Sequence, residues 1–293
     1  MLYRLLIAFA LLIATPAFAD DAAAPAKKNE VQQFVESLHF QTGKVAVSGA
    51  HATLNLSPDF RFLDARDAQR VLEQLWGNPP DSDVLGMLVP TSKSLGEKGA
   101  WAVVITYSAD GYVSDADAAK TDYAKILKDL QAESHEANAE RTKHGYPAVE
   151  IVGWATPPHY DSATNKIYWA KELDFAGSRQ HTLNYDIRVL GRSGYLSLNA
   201  VAGMSQLETV QTQMPNVLAM TEFDQGQRYT DFNASTDKVA AYGIGALVAG
   251  AIAAKAGLFA KLLALLIAAK KLIFVGIAAV GAAIARFFKR KSD

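Results

Sequence analysis

The chain of 293 residues contains no cysteine. This absence excludes disulfide bonds, thiolate nucleophiles, cysteine metal ligands and the lipidated cysteine of a bacterial lipoprotein. A chain without thiols suits an oxidising compartment, where a stray thiol is a liability. The sequence also lacks a Gly-x-Ser-x-Gly elbow, a phosphate-binding loop, a dinucleotide fingerprint and a His-Glu-x-x-His motif. It therefore specifies no reaction, and no cofactor is expected.

The net charge is unevenly distributed: the two ends of the chain have few acidic residues, and the middle has an excess of them. The formal net charge of −1 comprises +1 for residues 1–19, −9 for residues 20–238 and +7 for residues 239–293. Half of all residues are apolar and 20% are charged, so the chain is too apolar to be disordered. Because binding to phosphates needs a cationic surface, the acidic middle region predicts no nucleic-acid partner.

The first 19 residues have the order of a secretory signal peptide. Arg4 precedes an apolar run from Leu5 to Ile13, and Ala17 and Ala19 occupy the positions that a signal peptidase reads. We expect cleavage after Ala19, because the apolar run is shorter than the roughly 20 residues of a membrane span. The alternatives are an uncleaved anchor and a buried helix. Residues 20–29 are then expected to form a short tether.

Residues 239–293 carry the strongest composition shift in the chain. No acidic residue lies between Val239 and Phe288, and the apolar stretches between Ala240 and Ala285 are interrupted only by Lys255, Lys261 and the pair Lys270-Lys271. This composition predicts an anchor of one or two apolar helices in a lipid bilayer, ending in a basic tip. The run from Leu272 to Phe288 reaches about 17 residues, at the short limit for a span.

The number of spans stays open. Residues 239–269 form either a second span with snorkelling lysines or a helix at the membrane interface. Two spans would put the cluster Arg286 to Lys291 outside, against the positive-inside tendency, so one span plus an interfacial helix is favoured. We therefore expect the inner membrane of a bacterium, with the main domain periplasmic and the C-terminal tip cytoplasmic.

The middle of the chain, residues 30–238, predicts an exported α+β domain with a largely antiparallel sheet and packed helices. The C-terminal membrane-associated helices are expected to follow this domain. Helices are predicted over 31–40, after an N-cap at Asp64, from the Ser114/Asp117 pair to Gly145, and over 207–218, kinked or restarted at Pro215. Strands are predicted over 44–48, 51–56, 84–89, 101–107, 148–155, 166–173, 182–190 and 195–201.

The strand 182–190 has the clearest alternation in the sequence. Its apolar residues alternate with Asn184, Asp186 and Arg188. This pattern predicts one buried face and one solvated face.

Six segments carry a resemblance to a known family. They are Leu54-Asn-Leu-Ser-Pro-Asp-Phe-Arg-Phe-Leu-Asp64, Leu75-Trp-Gly-Asn-Pro-Pro80, Gly111-Tyr-Val, Tyr168-Trp-Ala-Lys-Glu-Leu173, Leu183-Asn-Tyr-Asp-Ile-Arg-Val-Leu-Gly191 and Asp231-Phe-Asn-Ala-Ser-Thr-Asp-Lys-Val-Ala-Ala-Tyr242. Together they resemble a family of bacterial membrane-anchored proteins defined by domain of unknown function 2167. The resemblance covers nearly the whole mature chain and implies an exported, membrane-anchored protein. It implies no activity and no catalytic residue.

Three clusters are candidates for chemistry or binding, and each has a plainer explanation. Glu136, Glu140 and His144 recur every four residues and would share a helix face able to offer ligands to a divalent metal. The alternative is a solvated charged face with ion pairs to Arg141 and Lys143. Metal binding is therefore not expected.

The second cluster is the segment Trp154-Ala-Thr-Pro-Pro-His-Tyr-Asp161. His159 beside Asp161 could serve acid–base catalysis, and Trp154 and Tyr160 could contact a ligand. The alternative is a loop that Pro157 and Pro158 shape, because neighbours in sequence seldom face each other.

The third cluster is aromatic. Its members, Trp76, Trp101, Trp154, Tyr168 and Trp169, could line a groove for an apolar or peptide ligand or could simply be core residues.

Two functions from different classes follow from these patterns. The first is a non-enzymatic envelope protein, a binding or assembly module for a protein, peptide or lipid partner, held at the membrane by its tail. The alternative is a periplasmic enzyme, hydrolase-like, that uses acidic residues or His159. A role in membrane structure or stress sensing is a third hypothesis.

Overall fold

The computed structural model describes residues 25–250, with side chains described from Glu30 onward. The predicted signal peptide and most of the predicted tail lie outside the described residues. Five α-helices are described, besides three short 3-10 turns: α1 (Pro25–Glu36), α2 (Ala65–Arg70, continued by a π-helical turn, Val71–Leu75), α3 (Tyr123–Lys143), α4 (Leu207–Met220) and α5 (Ile244–Val248). Helix α1 begins inside the predicted tether, and none of these helices is long and apolar enough to cross a membrane.

Twelve strands are described. They are β1 (Lys44–Val47), β2 (Ala52–Asn55), β3 (Phe60–Asp64), β4 (Val84–Pro90), β5 (Ala102–Ser108), β6 (Tyr112–Ser114), β7 (Val149–Asp161), β8 (Lys166–Phe175), β9 (Thr182–Leu190), β10 (Tyr195–Gly203), β11 (Thr221–Phe223) and β12 (Val239–Gly243). Seven of them form one sheet in the order β3-β4-β5-β10-β9-β8-β7, and every pair in it is antiparallel. The predicted α+β class with a large antiparallel sheet is confirmed.

One face of the seven-stranded sheet packs against α4 and a small sheet of order β1-β2-β11. The hairpin predicted for β1 and β2 is confirmed, with Lys44 opposite Asn55. Helix α4 contributes Val210, Met214 and Val217 to this core and continues through Pro215 without restarting.

The opposite face of the sheet is covered at its two ends. Helix α2 packs over the β3-β4-β5 end, and Asp64 is its N-cap as predicted, because its carboxylate accepts the backbone N–H of Asp67 at 3.0 Å. Helices α3 and α5 pack over the β7-β8 end. The strands between these ends carry the polar residues described below.

Helix α3 begins later than predicted. The Ser114/Asp117 pair does not open it; Asp122 is the N-cap, and its carboxylate accepts the N–H groups of Ala124 and Lys125. Asp117 instead accepts the N–H groups of Ile244 and Gly245. Asp117 therefore makes a long-range contact with α5 and does not form the capping box at the start of α3 that its spacing from Ser114 predicts.

Residues 231–248 belong to the folded domain. The sequence-based division begins the anchor at residue 239, whereas Val239–Gly243 forms β12, in parallel with β6, and α5 follows it. Ala240, Ile244 and Leu247 are buried because they face an apolar cluster of the domain. The α+β fold thus continues to Val248.

The segment predicted as a proline-shaped loop is part of strand β7, which runs through Pro157 and Pro158. Register shifts occur at three places along the β7–β8 pair. Strand β7 is at the edge of the sheet. A proline has no backbone N–H to donate, and on an edge strand no second neighbouring strand needs that donor, so prolines and bulges are both tolerated there.

Candidate functional site

The central strands of the sheet carry a group of charged side chains on the face between α2 and α3. We call Lys171, Asp186 and Arg188, together with the neutral amide of Asn199, the charged cluster. Strand alternation places Asp186 and Arg188 on one side of β9, and antiparallel register puts Trp169 and Asn199 directly opposite Asp186 on β8 and β10. Lys171, two residues from Trp169, shares that face.

The two oxygens of the Asp186 carboxylate differ: Oδ1 is hydrogen-bonded, whereas buried Oδ2 has an ion-pair contact but no hydrogen bond of good geometry within residues 25–250. Oδ1 accepts hydrogen bonds from Arg188 Nη1 at 3.0 Å and from Asn199 Nδ2 at 2.7 Å. Lys171 Nζ lies 3.1 Å from Oδ2. Asn184 donates in turn to the side-chain oxygen of Asn199 at 2.9 Å. The network orients both cations around one buried carboxylate.

This arrangement corrects the prediction that the Asn184-Asp186-Arg188 face is solvated. Eight of the nine residues of β9 are buried. Asp186 retains 4% of its side-chain exposure, whereas Lys171 and Arg188 each retain 16%. Apolar neighbours explain the burial, because Val104 and Val201 join the cluster under α2 while Ile167 and Trp169 join the cluster at α3 and α5.

The charges determine the protonation state of Asp186. Burial alone raises the pKa of a carboxyl group, but the positive charges of Lys171 and Arg188 and the Asn199 hydrogen bond hold the pKa of Asp186 below its ordinary value. The carboxylate is therefore ionised, and the cluster has two positive charges for one negative charge.

Aromatic rings hold the guanidinium of Arg188. Its Cζ lies 4.9 Å from the ring centroid of Trp169 and 6.0 Å from that of Tyr195. The indole N–H of Trp169 is buried and has no hydrogen-bond partner among residues 25–250. Chemically, the site is a rigid, partly desolvated pair of cations with an aromatic wall.

The predicted catalytic pair is not assembled into an acid–base unit. His159 is exposed on the edge strand, with its ring 5.2 Å from that of Tyr168. The Asp161 carboxylate accepts hydrogen bonds from Thr164 Oγ1 and the Ala163 N–H, and these lower its pKa. No hydrogen bond or ion pair joins these two described side chains.

The predicted binding residues Trp154, Tyr160 and Trp169 do come together, in the aromatic cluster. This cluster consists of buried Val113, Ile167, Trp169, Leu190, Tyr229, Ala240, Ile244, Leu247 and Val248 with partly buried Tyr112, Ala118, Tyr123, Ile126, Trp154, Tyr160, Tyr195 and Tyr242. Trp154 Nε1 donates to the Tyr123 carbonyl, and the Tyr160 hydroxyl donates to Asp115 at 2.8 Å. These aromatics pack as core.

The other aromatic candidates lie in different cores. Trp76 belongs to the cluster under α2, and Trp101 and Tyr168 belong to the core beneath α4. Tyr168 and Trp169, adjacent on β8, point to opposite faces of the sheet because side chains alternate along a strand. The five residues therefore do not line one groove.

The candidate metal ligands on α3 form ordinary ion pairs. Glu140 accepts from His144 Nε2 at 2.9 Å and pairs with Lys143 at 3.3 Å, and Glu136 is exposed. Within the part of the chain that the structure describes, no three His, Asp or Glu side chains are grouped so that they could hold a metal ion.

Sequence reasoning missed the charged cluster because its members come from three strands. One signal was present on β9, where Asp186 and Arg188 alternate with apolar residues. On β8 the face of Lys171 is otherwise apolar, with Ile167, Trp169 and Leu173, so nothing local marks Lys171 as part of a site. Only the pairing of the strands shows that Lys171 meets Asp186.

Comparison with known proteins gives one family and several distant structures. The family model "Protein of unknown function (DUF2167)" matches residues 39–281. No curated protein matches the chain.

Similar solved structures include cyanobacterial PsbP from Synechocystis sp. PCC 6803, with a TM-score of 0.35 and 10% identity over 63% of this chain and 92% of that one. LpqN of Mycobacterium tuberculosis, involved in cell envelope biogenesis, has a TM-score of 0.31 and 15% identity over 65% and 94%. The Ran-binding protein Mog1p of Saccharomyces cerevisiae has a TM-score of 0.30 and 12% identity over 65% and 98%. These likenesses are too low to indicate a function.

Proposed function

For this chain, which belongs to the DUF2167 family of proteins of unknown function, we propose the role of a membrane-held binding module of the bacterial envelope, with its binding site at the charged cluster. Residues 1–19 export it, and apolar residues in the region 249–293 hold it in the inner membrane. Its folded domain works on the periplasmic side.

The charged cluster is the observation that carries this proposal. Three charges buried on a sheet face are costly, since each must leave water, and a well-packed apolar group at such a position is often equally stable or more so. Lys171, Asp186 and Arg188 therefore need a reason beyond stability. Binding supplies one, because the two cations keep hydrogen-bond donors that Asp186 does not use.

The composition of the two ends supports export and anchoring. Residues 1–19 have the three-part order of a signal peptide, and residues 239–288 combine apolar stretches with an absence of acids. N-terminal sequencing of the protein from cells should begin at Asp20. Alkaline carbonate extraction should leave the full-length chain with the membrane and release a chain that ends at Ala249. Recovery of the full-length chain in the carbonate supernatant would contradict the anchoring.

The binding role is tested by crosslinking tagged full-length protein in intact cells. The test variant combines Lys171→Gln with Arg188→Gln. The control is Lys166→Gln, which removes one positive charge from β8, the strand of Lys171; Lys166 is opposite Val189 and thus on the other face. We expect one specific crosslinked partner with the wild-type and control chains and its loss with the double variant.

Two outcomes would contradict the proposed binding role. One is an equal yield of the partner with the double variant, provided that variant is folded and correctly localised. The other is the lack of any specific partner with wild-type protein at normal expression.

A further inference from the structure

We propose that the charged cluster binds a single oxyanion of its ligand, a carboxylate or a phosphodiester group. This inference rests on the proposed binding function and names the chemistry that the site recognises. It depends on three properties of the cluster: its charge balance, its unused donors and its access to solvent.

The charge balance favours one negative charge. Lys171 and Arg188 share the single carboxylate of Asp186, so the cluster has a net charge of +1. A monoanionic group would neutralise it. Residues 20–248, which include the folded domain, have a net charge of −9, so their long-range field repels a polyanion. The site therefore suits one isolated oxyanion better than a nucleic acid.

The unused donors match the geometry of an oxyanion. Arg188 donates from Nη1 to Asp186 and to the carbonyl of Ile187, while its Nε and Nη2 have no hydrogen-bond partner within residues 25–250. Lys171 uses its ammonium for Asp186 Oδ2 alone. A guanidinium edge and an adjacent ammonium form charge-assisted hydrogen bonds to carboxylate or phosphate oxygens.

The anionic and cationic groups of the cluster differ in their exposure to solvent. The Asp186 carboxylate is almost completely buried, whereas the two cations reach solvent. The rings of Trp169 and Tyr195 restrict the guanidinium, so little side-chain entropy remains to be lost on binding. Partial burial also weakens screening by salt, so the cations attract an anion more strongly than exposed lysines do.

The test uses the full-length chain in micelles of a nonionic detergent. Acetate and dimethyl phosphate are titrated separately at constant ionic strength maintained with sodium chloride. The readout is the side-chain N–H signal of Trp169 in ¹⁵N NMR spectra, assigned by its loss in Trp169→Phe. The chain has four tryptophans, so the other three signals are internal controls.

We expect a saturable shift of the Trp169 signal with at least one probe. Arg188→Gln and Lys171→Gln should each weaken the apparent Kd by about tenfold or more, because each removes a charge-assisted contact. Arg188→Lys keeps the charge without the fork and should give an intermediate Kd. Lys166→Gln should bind like wild type. The probe that saturates at the lower concentration identifies carboxylate or phosphodiester as the preferred group.

The outcomes separate this inference from the proposed function. If neither probe gives a saturable shift while the crosslinked partner still depends on Lys171 and Arg188, the oxyanion inference is wrong and the binding function stands. Unchanged probe affinity in folded Arg188→Gln and Lys171→Gln would also overturn it. If Arg188→Gln does not fold, Lys171→Gln and Arg188→Lys decide the question alone.

Discussion

Arg192 and Asp237 form a two-point ion pair: Arg192 Nε donates to Oδ2 of Asp237 at 2.7 Å, and Nη2 donates to Oδ1 at 2.9 Å. The pair joins the β9–β10 turn to the segment before β12. Asp237 also accepts the N–H of Asn233, and these bonds hold the pKa of Asp237 well below its usual range. The carboxylate thus fixes residues 233–237 against the domain.

Replacing either partner of this pair should loosen the C-terminal part of the domain. We expect Asp237→Asn to lower the melting temperature and to increase hydrogen exchange in β12, because Arg192 loses its charged acceptor. Arg179→Gln is the control, since Arg179 is exposed and has no ion pair among the described residues. Equal exchange rates in β12 for wild type and Asp237→Asn would show that the ion pair does not fix this segment.

Asp67 should make the stability of the domain depend on acid pH. Its side chain is fully buried, a position that raises a carboxyl pKa, but the N–H and ring of His39 together with Arg70 and Arg66 lower the pKa of Asp67 to about 2, from an ordinary value of 3.8. Because the folded-state pKa is depressed, this stabilisation is complete above pH 3.8 and is lost as the pH falls towards 2.

Asp67→Asn tests this contribution. At neutral pH it should reduce the free energy of unfolding by about 1–2 kcal/mol, because the buried carboxylate loses its charged contacts. The loss is not larger because solvent around the exposed His39 and Arg66 screens part of the interaction. Urea unfolding from pH 5 to pH 2 should show a shallower loss of stability for the variant. Asp59→Asn, at an exposed carboxylate, serves as control. A variant curve parallel to that of wild type would contradict the assignment.

His181 should titrate above its ordinary pKa. Its Nδ1 lies 2.6 Å from Glu172 Oε1, and this hydrogen bond, with Asp174 farther away, raises the pKa of the imidazole above 6.5. A raised pKa means that the pair stabilises the fold fully below pH 6.5 and that this contribution disappears as the pH rises through the folded-state pKa.

NMR titration of the His181 ring measures this shift directly. Glu172→Gln should return the pKa of His181 towards 6.5, because the principal partner becomes neutral. Asp174→Asn should have the smaller effect, since Asp174 Oδ1 is 3.8 Å from Nε2. The opposite order of the two variants would show that the close contact with Glu172 does not control the titration.

Gly194 permits a close approach between the β9–β10 turn and the end of β5. A Cβ atom added at this position would lie 1.8 Å from the carbonyl oxygen of Ser108. Gly194→Ala should therefore cost about 1–3 kcal/mol, as overpacking does. Gly153→Ala is a matched control in β7, because an added Cβ meets no atom within 4 Å there. Chemical denaturation that gives equal stability for both variants would contradict the close approach.

Several features of the fold were predictable from local sequence. The α+β class, the β1–β2 hairpin, the N-cap at Asp64, the bounds of β9 and the end of α3 near Gly145 all agree with the structure. Each depends on residues a few positions apart: an alternation, a turn, a cap or a glycine whose φ of +82° ends a helix. Local conformational preferences act within that distance.

The candidate site depended on contacts between distant parts of the chain. Sequence identified Trp169 as a binding candidate and separately noted the polar positions of β9, but it placed Lys171 in no site and expected Asp186 and Arg188 to be solvated. The order β10-β9-β8 brings these residues together, and apolar packing on both sides buries them. Pro157 and Pro158 fit a strand only because β7 is at an edge, and Asp117 caps α5 only because α5 returns to it.

The sequence by itself determined where the chain is polar or apolar, where its turns and caps occur, and that its two ends differ in composition from its middle. Strand order, the burial of the charged cluster and the partners of Asp117 and Asp237 were decided by the tertiary structure. The physical reason is that pairing of strands and burial of charge are set by which surfaces meet, and that is a property of the whole fold.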